Sequence, residues 1–212
     1  MYVKVCGITK PEQAQAIADL EVDALGFICV PQSKRYISPQ LLRTLSQSLP
    51  NTADRIAVFV NADLSFIVDI WQNCHLTGVQ LHGQETPELC RQLRQALPTA
   101  RLIKAIAIKS PADIELALSY SPVADVLLLD AYDPQMAGGT GKTIDWSILH
   151  NFRSALTELE WWLAGGLHAG NVAQAIAALQ PKGVDVSSGV EHSPGDKDIH
   201  KIKQFLEALR NL

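Results

Sequence analysis

Apolar and polar positions along this 212-residue chain switch repeatedly between two textures. Short runs rich in β-branched and other apolar residues read as strands, at 2–6, 24–30, 55–60, 77–82, 101–108, 124–130, 160–165 and 183–189. Longer segments of helical character separate them, at 11–20, 39–49, 64–74, 86–97, 111–120, 144–152, 169–179 and 197–209. Pro11 suits a first helical turn, where its missing N–H costs nothing. Eight strands thus alternate strictly with eight helices, with no linker or low-complexity segment between. Such alternation implies parallel strands joined by right-handed crossovers. Eight units predict an α/β fold of the closed (β/α)8 TIM-barrel type, as one domain over residues 1–212. An open doubly wound sheet usually carries a GxGxxG turn after its first strand, and CGITKPE lacks it.

In such barrels the chemistry gathers at the carboxyl ends of the strands. Successive side chains of a strand point to opposite faces. Lys4 and Cys6 therefore share one face of the first strand, Gln80 and His82 one face of the fourth. Leu128 and Asp130 share a face of the sixth strand, Asp185 and Ser187 a face of the eighth. The apolar partners belong against the helices, so the polar set points inward. Cys6, His82, Asp130 and Ser187 then converge on one barrel mouth. The first and eighth strands become neighbours on closure, so Lys4 and Asp185 are expected to pair, because a lone charge in the interior would be costly.

Composition narrows the partners. The chain is 47% hydrophobic, with a net charge of −4 and a pI near 5.8, and no basic block points to nucleic acid. No apolar run reaches the ~20 residues of a membrane span, and MYVKVCGITKPEQ has no signal-peptide core. A cytoplasmic protein with reduced cysteines is expected, Cys6, Cys29, Cys74 and Cys90 being widely spaced without a CxxC pair. The six histidines show no metal-binding spacing, so no metal is expected.

Candidate chemistry sits at the strand ends. Glycine-rich turns occur at 137–142, 163–167 and 187–191, the last two where barrels often bind phosphate. Gly141, Gly165, Gly166, Ser187, Ser188 and Gly189 are the expected phosphate contacts, glycine allowing close approach of backbone N–H groups to an anion. Tight turns that simply need glycine are the competing reading. Asp130, after three leucines, reads as a strand-end hydrogen-bonding residue or as a general acid. Cys6 reads as a buried inert thiol or as a reactive one, with Lys4 placed to favour the thiolate. Cys29, Cys74 and Cys90 read as core residues, and Trp161 and Trp162 as packing on opposite faces. Arg35 is a surface cation or a fork for a carboxylate, and His82 a core histidine or a site residue.

Together, KVCGIT, SKRYIS, VFVN, VQLHG, LLLD with GGTGKTIDW, LAGGL and GVDVSSGVE with PGDKD resemble the phosphoribosylanthranilate isomerase family of tryptophan biosynthesis, in order from Lys4 to the end of the chain. The resemblance implies a cofactor-free Amadori rearrangement of N-(5′-phosphoribosyl)anthranilate. It assigns catalysis to Cys6 and Asp130, the anthranilate carboxylate to Arg35, and leaves Gln80, His82 and Asp185 as further substrate-binding residues. Two departures stand out: Lys34 where many members have proline, and Ile144 where many have phenylalanine. The expected partner is a small-molecule substrate, on a monomer or homodimer. The related Amadori isomerase of histidine synthesis would carry aspartate at position 6, and an inactive phosphate-binding barrel would lack Cys6 or Asp130.

Overall fold

The structure, a computed structural model, describes residues 1–130 and 146–210. The GGTGK turn, with Gly141, and Ile144 lie outside the described residues. Eight parallel strands close in sequence order: β1 (Tyr2–Cys6), β2 (Ala24–Ile28), β3 (Asp54–Phe59), β4 (Gly78–Leu81), β5 (Arg101–Ala107), β6 (Val126–Asp130), β7 (Trp161–Ala164) and β8 (Gly183–Val186). Closure sets β8 beside β1, with Lys4 opposite Asp185 in the register. The helices are α1 (Pro11–Ala18), α2 (Pro39–Ser48), α3 (Leu64–Asn73), α4 (Pro87–Ala96), α5 (Pro111–Ser119), α6 (Ser147–Asn151), α7 (Arg153–Leu156), α8 (Val172–Leu179) and α9 (Ile199–Arg210).

Local chemistry explains the helix starts. Proline opens α1, α2, α4 and α5, and the Ser38 and Thr86 side chains accept the backbone N–H of Leu41 and Leu89. The expected helix at 144–152 is two short helices meeting at Phe152, whose backbone leaves helical geometry. The eighth helix starts at Val172 and not at 169, because Asn171 is used to close the preceding loop, accepting from the N–H of His168 and donating to the carbonyl of Gly166. The last starts at Ile199, since Asp198 caps it through the N–H groups of His200 and Lys201.

Two apolar layers follow from the alternation. Ala24, Ile56, Ile103, Ala105, Val126, Leu128, Trp162 and Ala164 fill the barrel, while Val3, Val5, Val79, Leu81, Leu127, Leu129, Trp161 and Val184 pack against the helices. Tyr2 stacks on Trp162 at 4.4 Å, and the Arg101 guanidinium lies over both rings. These side chains plug the amino-terminal end, so the barrel opens at the carboxyl ends of its strands. Beyond β8 the expected strand stops at Val186. The chain makes a 3₁₀ turn over Ser188–Val190 and then a hairpin of β9 (Glu191–Ser193) and β10 (Asp196–Lys197). Strands this short leave no alternation to read.

Candidate functional site

A cavity of about 460 Å³ opens at that end. Cys6, Arg35, Gln80, His82, Asp130, Gly165, Gly166, Asp185, Ser187 and Ser188 line it, with Ile28, Val30, Val58 and Val60 forming an apolar wall. The inward-pointing set read from face alternation is thus brought together.

Lys4 lies one layer below Cys6 and is wholly buried. Its ammonium donates to both carboxylate oxygens of Asp185 at 3.0 Å, the pair expected from the sequence. It also lies beside the Cys6 thiol, with which it interacts electrostatically. Burial opposes the charge of Lys4, but Asp185 and the thiol outweigh it and hold its pKa above the ordinary value. Room for this contact comes from Gly26, where an added Cβ would stand 2.7 Å from Cys6 Sγ and 3.0 Å from Lys4 Nζ. The expectation that Lys4 favours the thiolate is right in sign and insufficient in size. Burial pushes the Cys6 thiol up, Lys4 pulls it down, Asp185 pushes it up again, and the net shift is upward. The resting form is the thiol.

His82 stands at the end of β4. Gln80 Nε2 lies 2.9 Å from its Nδ1, and its Nε2 lies 3.9 Å from Asp130 Oδ2. With the amide donating, Nδ1 accepts and the ring proton faces Asp130. Burial lowers the His82 pKa despite the attraction of Asp130, so the ring is neutral near pH 7. Gln80 Oε1 is buried with no hydrogen-bond partner among the described residues.

Arg35 reaches the cavity from the loop after β2, but its fork is already occupied. Nε and Nη2 donate to the Glu191 carboxylate at 2.9 and 2.7 Å. Bidentate capture of a ligand through that edge, as the sequence suggests, is therefore closed; the Nη1 side of the guanidinium is what a ligand can meet. Glu191 also takes the ammonium of Lys197 at 2.8 Å. Burial works against its ionisation, yet the bonds from Arg35 and Lys197 hold its carboxyl below the usual range. Lys197 is itself buried, which pulls its pKa down while Glu191 opposes the fall. Neither Glu191 nor Lys197 stood out in the sequence. The signal was a Pro-Gly turn flanked by an acid and a base, VEHSPGDKD, whose ends the hairpin register sets opposite each other.

The expected phosphate turns divide. Gly165 and Gly166, at φ +97° and +61°, end β7 in a left-handed conformation that glycine favours, and with Ser187 and Ser188 they face the cavity. Gly189 does not line it. Its missing side chain serves packing, since a Cβ there would fall 1.9 Å from the carbonyl oxygen of Leu167. Ser187 donates to the carbonyl of Cys6 at 3.0 Å. The turn after β8 also has a cation within reach, Lys197, although the sequence around the glycine turns suggests only Lys142.

Comparison with known proteins adds four findings. A profile of the N-(5′-phosphoribosyl)anthranilate isomerase family matches residues 3–208. The chain is 51% identical over 212 residues to the N-(5′-phosphoribosyl)anthranilate isomerase of Crocosphaera subtropica, covering all of both chains. Its fold is similar to the crystal structure of phosphoribosyl anthranilate isomerase from Thermotoga maritima, with a TM-score of 0.90 and 42% identity over the whole of each chain. A crystal structure of a phosphoribosyl anthranilate isomerase in complex with reduced 1-(o-carboxyphenylamino)-1-deoxyribulose 5-phosphate is similar at a TM-score of 0.87 and 39% identity, again with full coverage of both chains.

Proposed function

The chain belongs to the N-(5′-phosphoribosyl)anthranilate isomerase family, and from that premise we propose a division of labour around the barrel mouth. The enzyme isomerises N-(5′-phosphoribosyl)anthranilate, an aldose-to-ketose conversion in tryptophan biosynthesis. The substrate joins an aromatic amine to a phosphorylated sugar, so a site must hold an anion at each end and move protons between.

Asp130 is the acid. It delivers a proton to the ribose ring oxygen as the amine lone pair opens the ring, and the iminium so formed acidifies the C2′ hydrogen. Cys6 is the base that removes that hydrogen, and the enolamine then tautomerises to the ketone. The proton inventory links the two. An active site with a thiolate at Cys6 and a protonated Asp130 holds the same number of protons as one with the thiol and the carboxylate. The working form is the first, and it differs from the second by the place of one proton, so none need be taken from solvent.

The observation that carries this reading is the order of groups around the rim. Asp130 ends β6, Gly165 and Gly166 follow β7, Ser187 and Ser188 follow β8, Cys6 ends β1, and Arg35 follows β2. Acid and base therefore flank the two turns that would seat the phosphate. The carboxylate of the anthranilate meets the Nη1 side of Arg35, and its ring lies on Ile28, Val30, Val58 and Val60. Gln80 Oε1, buried without a partner among the described residues, accepts a sugar hydroxyl, and His82 holds Asp130 in place. The substrate is a small molecule, and the working unit is a monomer or homodimer in the cytoplasm. No helix among the described residues is long and apolar enough to cross a membrane.

The test is turnover of substrate made in situ from anthranilate and phosphoribosyl pyrophosphate, followed by loss of anthranilate-type fluorescence. Cys6→Ala and Asp130→Asn should each lower kcat by about 10²–10⁴-fold with the barrel still folded. Either variant within about tenfold of the parent would overturn the role given to that residue.

A further inference from the structure

Cys6 is surrounded by more charge than this proton transfer uses. Lys4 faces it from β1, Asp185 from β8, Arg35 from the loop after β2 and Lys197 from β10. Lys4 and Asp185 are matched one to one through both carboxylate oxygens. The second group is not balanced. Among the described residues Glu191 is the one carboxylate that answers Arg35 and Lys197, so two cations share it.

Lys197 is 2% exposed. Apart from Glu191, its ammonium approaches the carbonyl of Ser187 at 3.3 Å and the hydroxyl of Ser187 at 3.4 Å. That hydroxyl donates to the carbonyl of Cys6. One side chain therefore separates a buried cation from the backbone that carries the thiol. A buried ammonium is costly unless it is paired, and here its anion is divided with an arginine. The excess positive potential reaches the Cys6 sulfur, where it adds to that of Lys4, a cation already matched by Asp185.

We propose that Lys197 is a positioning residue for Cys6, its ammonium held behind the thiol by Glu191 and Ser187 so that the sulfur can exist as a thiolate. The proposal rests on the reading of Cys6 as the base. It assigns the hairpin after β8 a task in the reaction, although Lys197 and Glu191 themselves need not touch the sugar. It also gives the two members of the ion pair opposite effects. Lys197 favours the thiolate, and Glu191, by neutralising cations, opposes it.

The experiment is the pH dependence of Cys6 alkylation by iodoacetamide, read on the Cys6 peptide by mass spectrometry so that the other cysteines do not interfere. Lys197→Met should move the midpoint upward by about one pH unit or more, and Lys197→Arg should return it most of the way. The pH profile of kcat should move with it, while KM changes little. Glu191→Gln should move the midpoint downward, because both cations remain and their carboxylate is gone. A general loosening of the hairpin would shift the two variants in the same direction, and that result overturns the proposal, as does an unmoved midpoint in folded Lys197→Met. Should Lys197→Met not fold, Glu191→Gln decides alone: a midpoint unchanged or raised overturns the proposal. Failure of the base assignment is separate, since Cys6→Ala would then keep its turnover while the alkylation shifts persisted.

Discussion

The barrel carries two buried lysine–glutamate pairs of nearly the same length, Lys104–Glu85 at 2.9 Å and Lys197–Glu191 at 2.8 Å. Their surroundings differ. Lys104 also donates to the carbonyls of Gly83 and Leu81, and Glu85 accepts from the N–H groups of Asn61 and Gly83. Burial pushes the Glu85 carboxyl up, but Lys104 and the N–H of Asn61 hold it below its ordinary range. The other hydrogen bonds of this pair go to backbone at the end of β4 and in the loops after β3 and β4. The other pair also meets backbone, at the Ser187 carbonyl and the Gly195 N–H, but a second cation and a hydroxyl beside the thiol join it there. The same two residue types thus make a clamp in one place and a source of field in the other. What decides between them is whether the leftover valence goes to neutral backbone or to charged and reactive neighbours.

The largest effect is expected at the clamp. Lys104→Met leaves Glu85 buried without its cation, and the expected loss is about 3–5 kcal/mol of stability, a fall in Tm on the order of 10 °C. The Cys6 alkylation midpoint should not move in this variant. Calorimetry showing a shift under about 2 °C would mean that the backbone N–H groups alone satisfy Glu85.

Arg35→Met comes next. Loss of a charged contact to the substrate carboxylate should raise KM by about 10–100-fold, read from steady-state kinetics. An unchanged KM would assign the carboxylate to another group and leave Arg35 as a partner of Glu191 only.

Gly26→Ala acts at neither lysine–glutamate pair, since the new methyl group would overlap the contact of Lys4 with Cys6. Displacing the thiol by a fraction of an ångström to an ångström should lower kcat by about 10–100-fold. Parental kcat would show that the thiol tolerates displacement.

The smallest effect is acid sensitivity. The folded pKa of His82 lies below the ordinary 6.5, so protonation favours the unfolded chain. Its contribution is present above the unfolded value and is lost as pH falls below it towards the folded value. Glu85 and Glu191 follow the same sign at lower pH, their stabilisation being lost as pH drops from the unfolded carboxylate range through their folded values. Urea midpoints across a pH series should show a small step near the histidine range that vanishes in His82→Gln. Persistence of the step in that variant would assign it elsewhere.

How far the sequence carried the fold can be judged from particular elements. β1 is bounded as the pattern suggested, because Gly7, at φ +81°, turns the chain immediately after Cys6. Face alternation was enough to pair Lys4 with Asp185, since a closed barrel leaves those side chains nowhere else to point. The eighth strand was read too long because Ser187 and Ser188 continue the polar alternation while their backbone has already turned. Gly189 resembled a phosphate contact for the same reason that it packs well, a missing side chain. The tie of Glu191 and Lys197 to the site was illegible because Arg35 lies 156 positions from Glu191 along the chain and no local period connects them. A valine at Gly166 would be a poor test of phosphate binding, because φ +61° burdens a β-branched residue before any anion arrives.

The ion pair that joins the first strand to the last has a consequence in time. Lys4 precedes Asp185 by 181 residues. At a synthesis rate of ~5–20 residues per second, its counter-ion leaves the ribosome on the order of ten seconds or more after it. Until then the first strand carries an ammonium that no apolar interior accepts, and it stays wet. A nascent chain of six or seven strands therefore cannot settle into a dry, premature ring around Lys4. The charge keeps the opening strand available for the strand that completes the circle, and a one-residue slip at that joint would bury the lysine among the helices instead.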